Sequence, residues 1–194
     1  MLNKITWIFT AFSLAALTYA SQTLARGIDI KLADEMGEFT YLSESSTFGY
    51  GGADVGVGLL FTEDDDVQFN LDVMVTGNPA GNNKALQFGV GAKAVFTAFD
   101  ILDEEVGAVA IGGQIRYVIP SSTPIAFLVT AHYAPGITAF SGADQYTEFR
   151  AAIELEVTPS ARAFVGYRNI EYEFEGGGEV ELDDGAHVGV KFEF

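Results

Sequence analysis

The chain has 194 residues, no cysteine, and 10 Lys+Arg against 27 Asp+Glu, for a formal charge of −17. Lack of cysteine excludes a disulfide framework, a thiolate zinc site and a cysteine nucleophile, and so acidic a chain excludes binding of nucleic acid through phosphate neutralisation. Disorder is excluded as well, because 48% of the residues are hydrophobic and only 19% are charged.

The chain opens with Lys4 and an apolar stretch from Ile5 to Leu17, followed by small residues. That order is the layout of a secretory signal peptide. Cleavage sites fit after Ala20 or after Ala25; the second is favoured because a strand pattern follows it. The apolar stretch is shorter than the about 20 residues a spanning helix needs. Residues 1–25 are therefore read as a signal peptide and residues 26–194 as one domain.

From residue 27 onward the side chains alternate with a period of two, which is the signature of strands with unlike faces. Ten segments follow this rule: 27–33, 37–43, 50–62, 67–77, 85–98, 105–118, 125–134, 146–157, 161–172 and 185–194. In the fourth, Val67, Phe69, Leu71, Val73 and Val75 oppose Gln68, Asn70, Asp72, Met74 and Thr76. In the eighth, Phe149, Ile153, Leu155 and Val157 oppose Glu148, Arg150, Glu154 and Glu156. Turn residues separate the segments, among them Asn78-Pro79, Pro120 to Pro124 and Thr158-Pro159-Ser160. The longest connections, 135–145 and 173–184, fall on the same end.

A soluble sandwich also alternates, but its outer face is amply charged. Here the second face mixes Gly, Ala, Gln and Thr with few charges, which suits a lumen. Transmembrane barrels carry this inversion, apolar outside and polar inside, over segments of about 10 residues. The last strand carries Val188, Val190, Phe192 and Phe194 on one face. An alternating final strand ending in an aromatic residue resembles the assembly signal of bacterial outer-membrane barrels, which implies recognition by the barrel assembly machinery. Such a strand must close the sheet, because an open edge cannot be satisfied in lipid. The expected fold is therefore all-β: a transmembrane antiparallel up-and-down barrel of ten strands in the cell outer membrane. Eight strands is the alternative if residues 27–43 stay outside the sheet.

This topology gives two aromatic bands, as barrels have at their interfaces. Phe61, Phe69, Phe96, Tyr133, Phe149 and Tyr167 form the outer band, and Phe88, Tyr117, Phe127, Phe192 and Phe194 the inner one. The charges inside the barrel are in balance. Lys31, Lys93, Arg116, Arg150, Arg162, Arg168 and Lys191 face inward, and so do Asp29, Asp54, Asp72, Glu148, Glu154, Glu156 and Glu193. The remaining acids, including Glu63-Asp64-Asp65-Asp66 and Asp103-Glu104-Glu105, lie in connections or strand tips, nearly all on the outside.

Two functional readings follow. The first is a structural barrel with a charge-paired, closed lumen, or a narrow passive channel if the inward glycines leave room. The second is a surface-interaction barrel whose acidic loops bind divalent cations, glycolipid or a basic partner. Oxygen ligands suit Ca²⁺ and Mg²⁺, but the run 63–66 lacks the spacing of a dedicated calcium loop, so binding there is expected to be diffuse. His132 and His187 point inward from non-neighbouring strands and form no ligand motif. No catalytic residues, cofactor or metal site are expected. The partners are outer-membrane lipids and the assembly machinery.

Four stretches resemble the YfaZ family of small bacterial outer-membrane proteins: Tyr133-Ala-Pro-Gly136, Asp144-Gln-Tyr-Thr-Glu148, Gly166-Tyr-Arg-Asn-Ile170 and Val188 to Phe194. The resemblance implies a cleaved precursor inserted in the outer membrane as a barrel. It carries over no site residues.

Overall fold

The computed structural model describes residues 25–45, 53–79, 85–174 and 176–194. The expected signal peptide lies outside these residues, apart from Ala25, as do residues 46–52 and 80–84. Eleven strands follow one another with no helix among the described residues: β1 (Ala25–Leu32), β2 (Met36–Ser45), β3 (Ala53–Thr62), β4 (Val67–Gly77), β5 (Leu86–Phe99), β6 (Glu104–Ile119), β7 (Ile125–Ala134), β8 (Ala139–Phe140), β9 (Ala143–Thr158), β10 (Ala161–Phe174) and β11 (Gly178–Glu193).

Ten of these strands close into an antiparallel barrel in which sequence neighbours pair, β8 being a two-residue strip against β6. Closure comes from β1 against β11, with Gly27 opposite Glu193 and Leu32 opposite Val188. With β5 also paired to β6, the ring has no free edge. β1 and β2 belong to the sheet, so the ten-strand reading holds and the eight-strand alternative does not. The start of β1 and the C-terminus lie at one end, called here the terminal end, together with the turns at 120–124 and 159–160. The opposite loop end carries 33–35, 63–66, 100–103, 135–142 and 176–177.

The strands are longer at the loop end than the alternation alone indicated. β10 runs on to Phe174 and β11 starts at Gly178, so most of the expected 173–184 connection is a hairpin. Gly176 and Gly177 make its turn at φ 116° and 88°, a backbone region that side chains disfavour. Alternation within 179–184 was hidden by its acids, which read as a loop.

Alternation places the apolar residues on the outside. Val90 is 73% exposed and Ile111 70%, and the outward positions of β7, Ile125, Phe127, Val129 and Tyr133, are exposed too. The aromatic bands survive as rows on the outer surface: Tyr117 sits opposite Phe127 near the terminal end, and Phe69 opposite Phe96 near the loop end.

The interior of the loop end is apolar, which the expectation of a wholly polar lumen missed. Leu60, Val95, Tyr146, Ile170 and Tyr172 are fully buried there, with Met36, Phe99 and Leu182 packed around them. The rings of Tyr146 and Tyr172 lie 4.9 Å apart, and Phe99 meets Tyr172 edge-on at 5.6 Å. This plug is a hydrophobic core held inside the barrel.

Candidate functional site

Below the plug, side chains cross the bore and tie facing walls together. Tyr172 on β10 reaches the opposite wall, where its hydroxyl donates to Gln68 Oε1 at 3.0 Å and lies 2.7 Å from Thr97 Oγ1. Thr97 also donates to Gln68 Oε1, at 3.1 Å. An unpaired polar group would be costly at this depth, and the triad satisfies the Tyr and Thr hydroxyls together.

Next come the charges, in two adjoining groups. In the first, Arg168 on β10 pairs with Glu38 on β2 and, at 2.7 Å, with Asp183 on β11, while an Nη lies 3.1 Å from Met36 Sδ. Lys31 adds a second cation 3.3 Å from Glu38, and Thr40 donates to Glu38 Oε1 at 3.0 Å. In the second, Lys93 on β5 meets Glu148 on β9 at 2.5 Å, and Tyr146 donates to the same carboxylate oxygen at 2.9 Å. His132 on β7 stands between Glu148, 3.7 Å from Nδ1, and Asp72 on β4, 3.4 Å from Nε2. Neither contact of His132 has hydrogen-bond geometry. Buried charges of this kind persist only when paired.

Closer to the terminal end the pairs run along the wall and no longer span the bore. Arg116 bonds Glu154 at 2.9 Å, and Arg162 bonds Glu193 on the neighbouring strand. A cavity of about 390 Å³ lies here, its lining running from Lys93 and Arg168 at mid-barrel to Arg162 and Glu193 at the terminal rim. Asp54, Asp72, Lys93, Arg116, His132, Glu148, Arg150, Glu154, Arg162, Arg168 and Lys191, the lumen residues named from the sequence, all line it.

Two lumen acids, Glu38 and Asp183, were missed. Glu38 lines the cavity. The parity of β2, with Phe39 and Tyr41 outward, carried the signal for Glu38, since neighbours alternate. Asp183 belongs to the part of β11 read as a loop.

The inward glycines make room for larger neighbours and do not widen a bore. A Cβ on Gly112 would meet the His132 ring at 2.3 Å, and one on Gly189 would meet the Phe164 ring at the same distance. Phe164 in turn lies under the Arg150 guanidinium, 4.8 Å from ring centroid to Cζ. His187 Nε2 accepts from Arg150 Nε at 3.3 Å.

At the loop end the acidic run has a structural share. Asp66 Oδ1 accepts the Asp100 amide at 2.9 Å and the Asp66 amide donates to Thr62 Oγ1 at 3.1 Å, while Glu63 to Asp65 face solvent. Glu171, Glu173 and Glu179 bring carboxylate oxygens within 4.8 Å of one another, and Gln145 Nε2 donates to Glu173 at 2.6 Å. Val188, Val190 and Phe192 of the last strand lie on the outer face of β11, beside β1.

No curated protein and no solved structure matches the chain. A family profile described as YfaZ precursor matches residues 52–194, most of the ten-stranded barrel and the whole of its C-terminal part. The chain belongs to the YfaZ family.

Proposed function

We propose that this protein is a structural, non-conducting barrel of the cell outer membrane, exported by a cleaved signal peptide. Its terminal end faces the periplasm and its acidic loop end the exterior. The observation that carries this reading is the inversion of the barrel: exposed Val, Ile and Phe ring the outside while Arg168, Lys93 and Glu148 are buried within. Water would disfavour so large an apolar outer surface, whereas hydrocarbon satisfies it. Membrane lipids are then the partner of the belt, and the outward residues of β11 present the strand to the assembly machinery. The reading assigns the protein no catalysis.

The apolar plug supports the structural version over the channel version, because dry, fully buried side chains leave no wetted path. Refolded protein in planar bilayers is expected to show no stepwise conductance at any voltage, together with heat-dependent mobility on detergent gels. Sustained conductance steps would sink the closed reading. Full release of the protein in osmotic-shock fluid would sink the membrane reading.

A second reading uses the loop end as an interaction surface, favoured by the solvent-facing acids at 63–65 and the convergence of Glu171, Glu173 and Glu179. It requires that neutralising these positions changes divalent-cation or glycolipid binding. Unchanged binding would remove it.

A further inference from the structure

The cavity under the charge layer contains more polar chemistry than its own pairs consume. Of the cations lining it, Arg150 has no carboxylate within ion-pair distance among the described residues. Its Nε donates to His187 and its guanidinium lies over the Phe164 ring, while Arg150 itself lines the lumenal cavity. Arg150 also stands directly opposite Arg168 across the β9–β10 pair, an arrangement of like charges that a ladder disfavours.

Asp72 is the complementary case. Its cross-strand neighbour Lys93 turns away to Glu148, leaving His132 as the nearest basic group, and Asp72 Oδ2 accepts no hydrogen bond from the protein. Beside it on β4, the Asn70 amide nitrogen is also without a protein partner, although Asn70 is only 3% exposed. Both ring nitrogens of His132, 5% exposed, share that state. Asn70, Asp72, His132 and Arg150 all line the one cavity. Buried polar groups without protein partners call for a bound polar molecule or water.

We propose that this cavity binds a small zwitterion, its carboxylate held by Arg150 and its ammonium group by Asp72, with Asn70 and His132 completing the hydrogen bonding. A bidentate guanidinium grip suits a carboxylate better than a point charge does. The volume of about 390 Å³ falls in the range of small-molecule sites. Entry is from the terminal end, because the plug seals the other.

The test is calorimetric titration of the refolded full-length barrel in detergent with glycine, β-alanine, 4-aminobutyrate and 6-aminohexanoate, a series of growing charge separation. Acetate and ethylammonium serve as single-charge probes. At least one zwitterion is expected to bind saturably and more tightly than either single-charge probe. Arg150→Gln and Asp72→Asn are each expected to weaken it tenfold or more, and Glu63→Gln at the loop end to leave it unchanged. If a variant fails to fold, methyl shifts in the unmodified barrel decide: Leu42 and Leu128, which line the cavity, must move on titration, and Leu60 and Leu182 in the plug must not. No saturable binding, equal binding of acetate, or shifts confined to the plug would overturn the proposal. Because the measurement needs only the folded barrel, its failure is distinct from that of the non-conducting membrane reading, which conductance tests.

Discussion

Arg168 holds the mid-barrel charges together, since it is 1% exposed and touches two carboxylates from different strands. Replacing it with methionine would leave Glu38 and Asp183 buried with less compensation. Removing one partner of a buried pair costs about 3–5 kcal/mol, so Arg168→Met should lower the urea midpoint of the bilayer-inserted barrel by a corresponding margin. Adding Glu38→Gln and Asp183→Asn to the same chain should restore much of the loss, because the uncompensated charges go with them. A triple variant as unstable as the single one would show that Arg168 acts through packing alone. The residue-scale alternation behind this site was legible in the sequence: every lumen cation named from it lines the cavity. Which acid each cation meets was not legible. Lys93 meets Glu148 three strands away and not its cross-strand neighbour Asp72.

Among the strands, β9 gives the cleanest contrast between faces, with exposed Phe149, Ile153 and Leu155 alternating with lumenal Glu148, Arg150 and Glu154. A charge on the outer face of a lipid-embedded strand costs about 2–4 kcal/mol near the midplane and little at the interfaces. Ile153→Lys should therefore reduce folding into vesicles far more than Val157→Lys, which lies nearer the terminal end. Urea titration of vesicle-folded protein measures both, and equal effects would contradict the belt. Strand boundaries were less legible than strand faces. The start of β11 was hidden because its exposed Glu179 and Glu181 and its lumenal Asp183 are all acidic, with a register shift between Glu181 and Asp183, so that hydropathy gives no signal there. Hairpin pairing with β10, from Glu173 opposite Glu179 upward, makes these residues a strand regardless.

For the whole molecule, the proposed non-conducting role rests on the plug. Its residues sit on several strands, and Tyr172 joins walls that are far apart in sequence, Gln68 and Thr97. Combining Tyr172→Gly with Phe99→Gly removes both rings and the bridge between the walls. That variant, with heat-dependent mobility confirming a folded barrel, should conduct in planar bilayers where the parent does not. A folded variant that stays silent would place the seal elsewhere. The sequence by itself determined the class of fold and the outward and inward faces, because the two-residue period of a strand assigns each side chain to a face without reference to any other strand. Only the tertiary structure decided that the bore holds an apolar core at one end and a polar-lined cavity towards the other. Closure of the ring brings strands that never pair face to face across the lumen, and no local pattern records which side chains meet there.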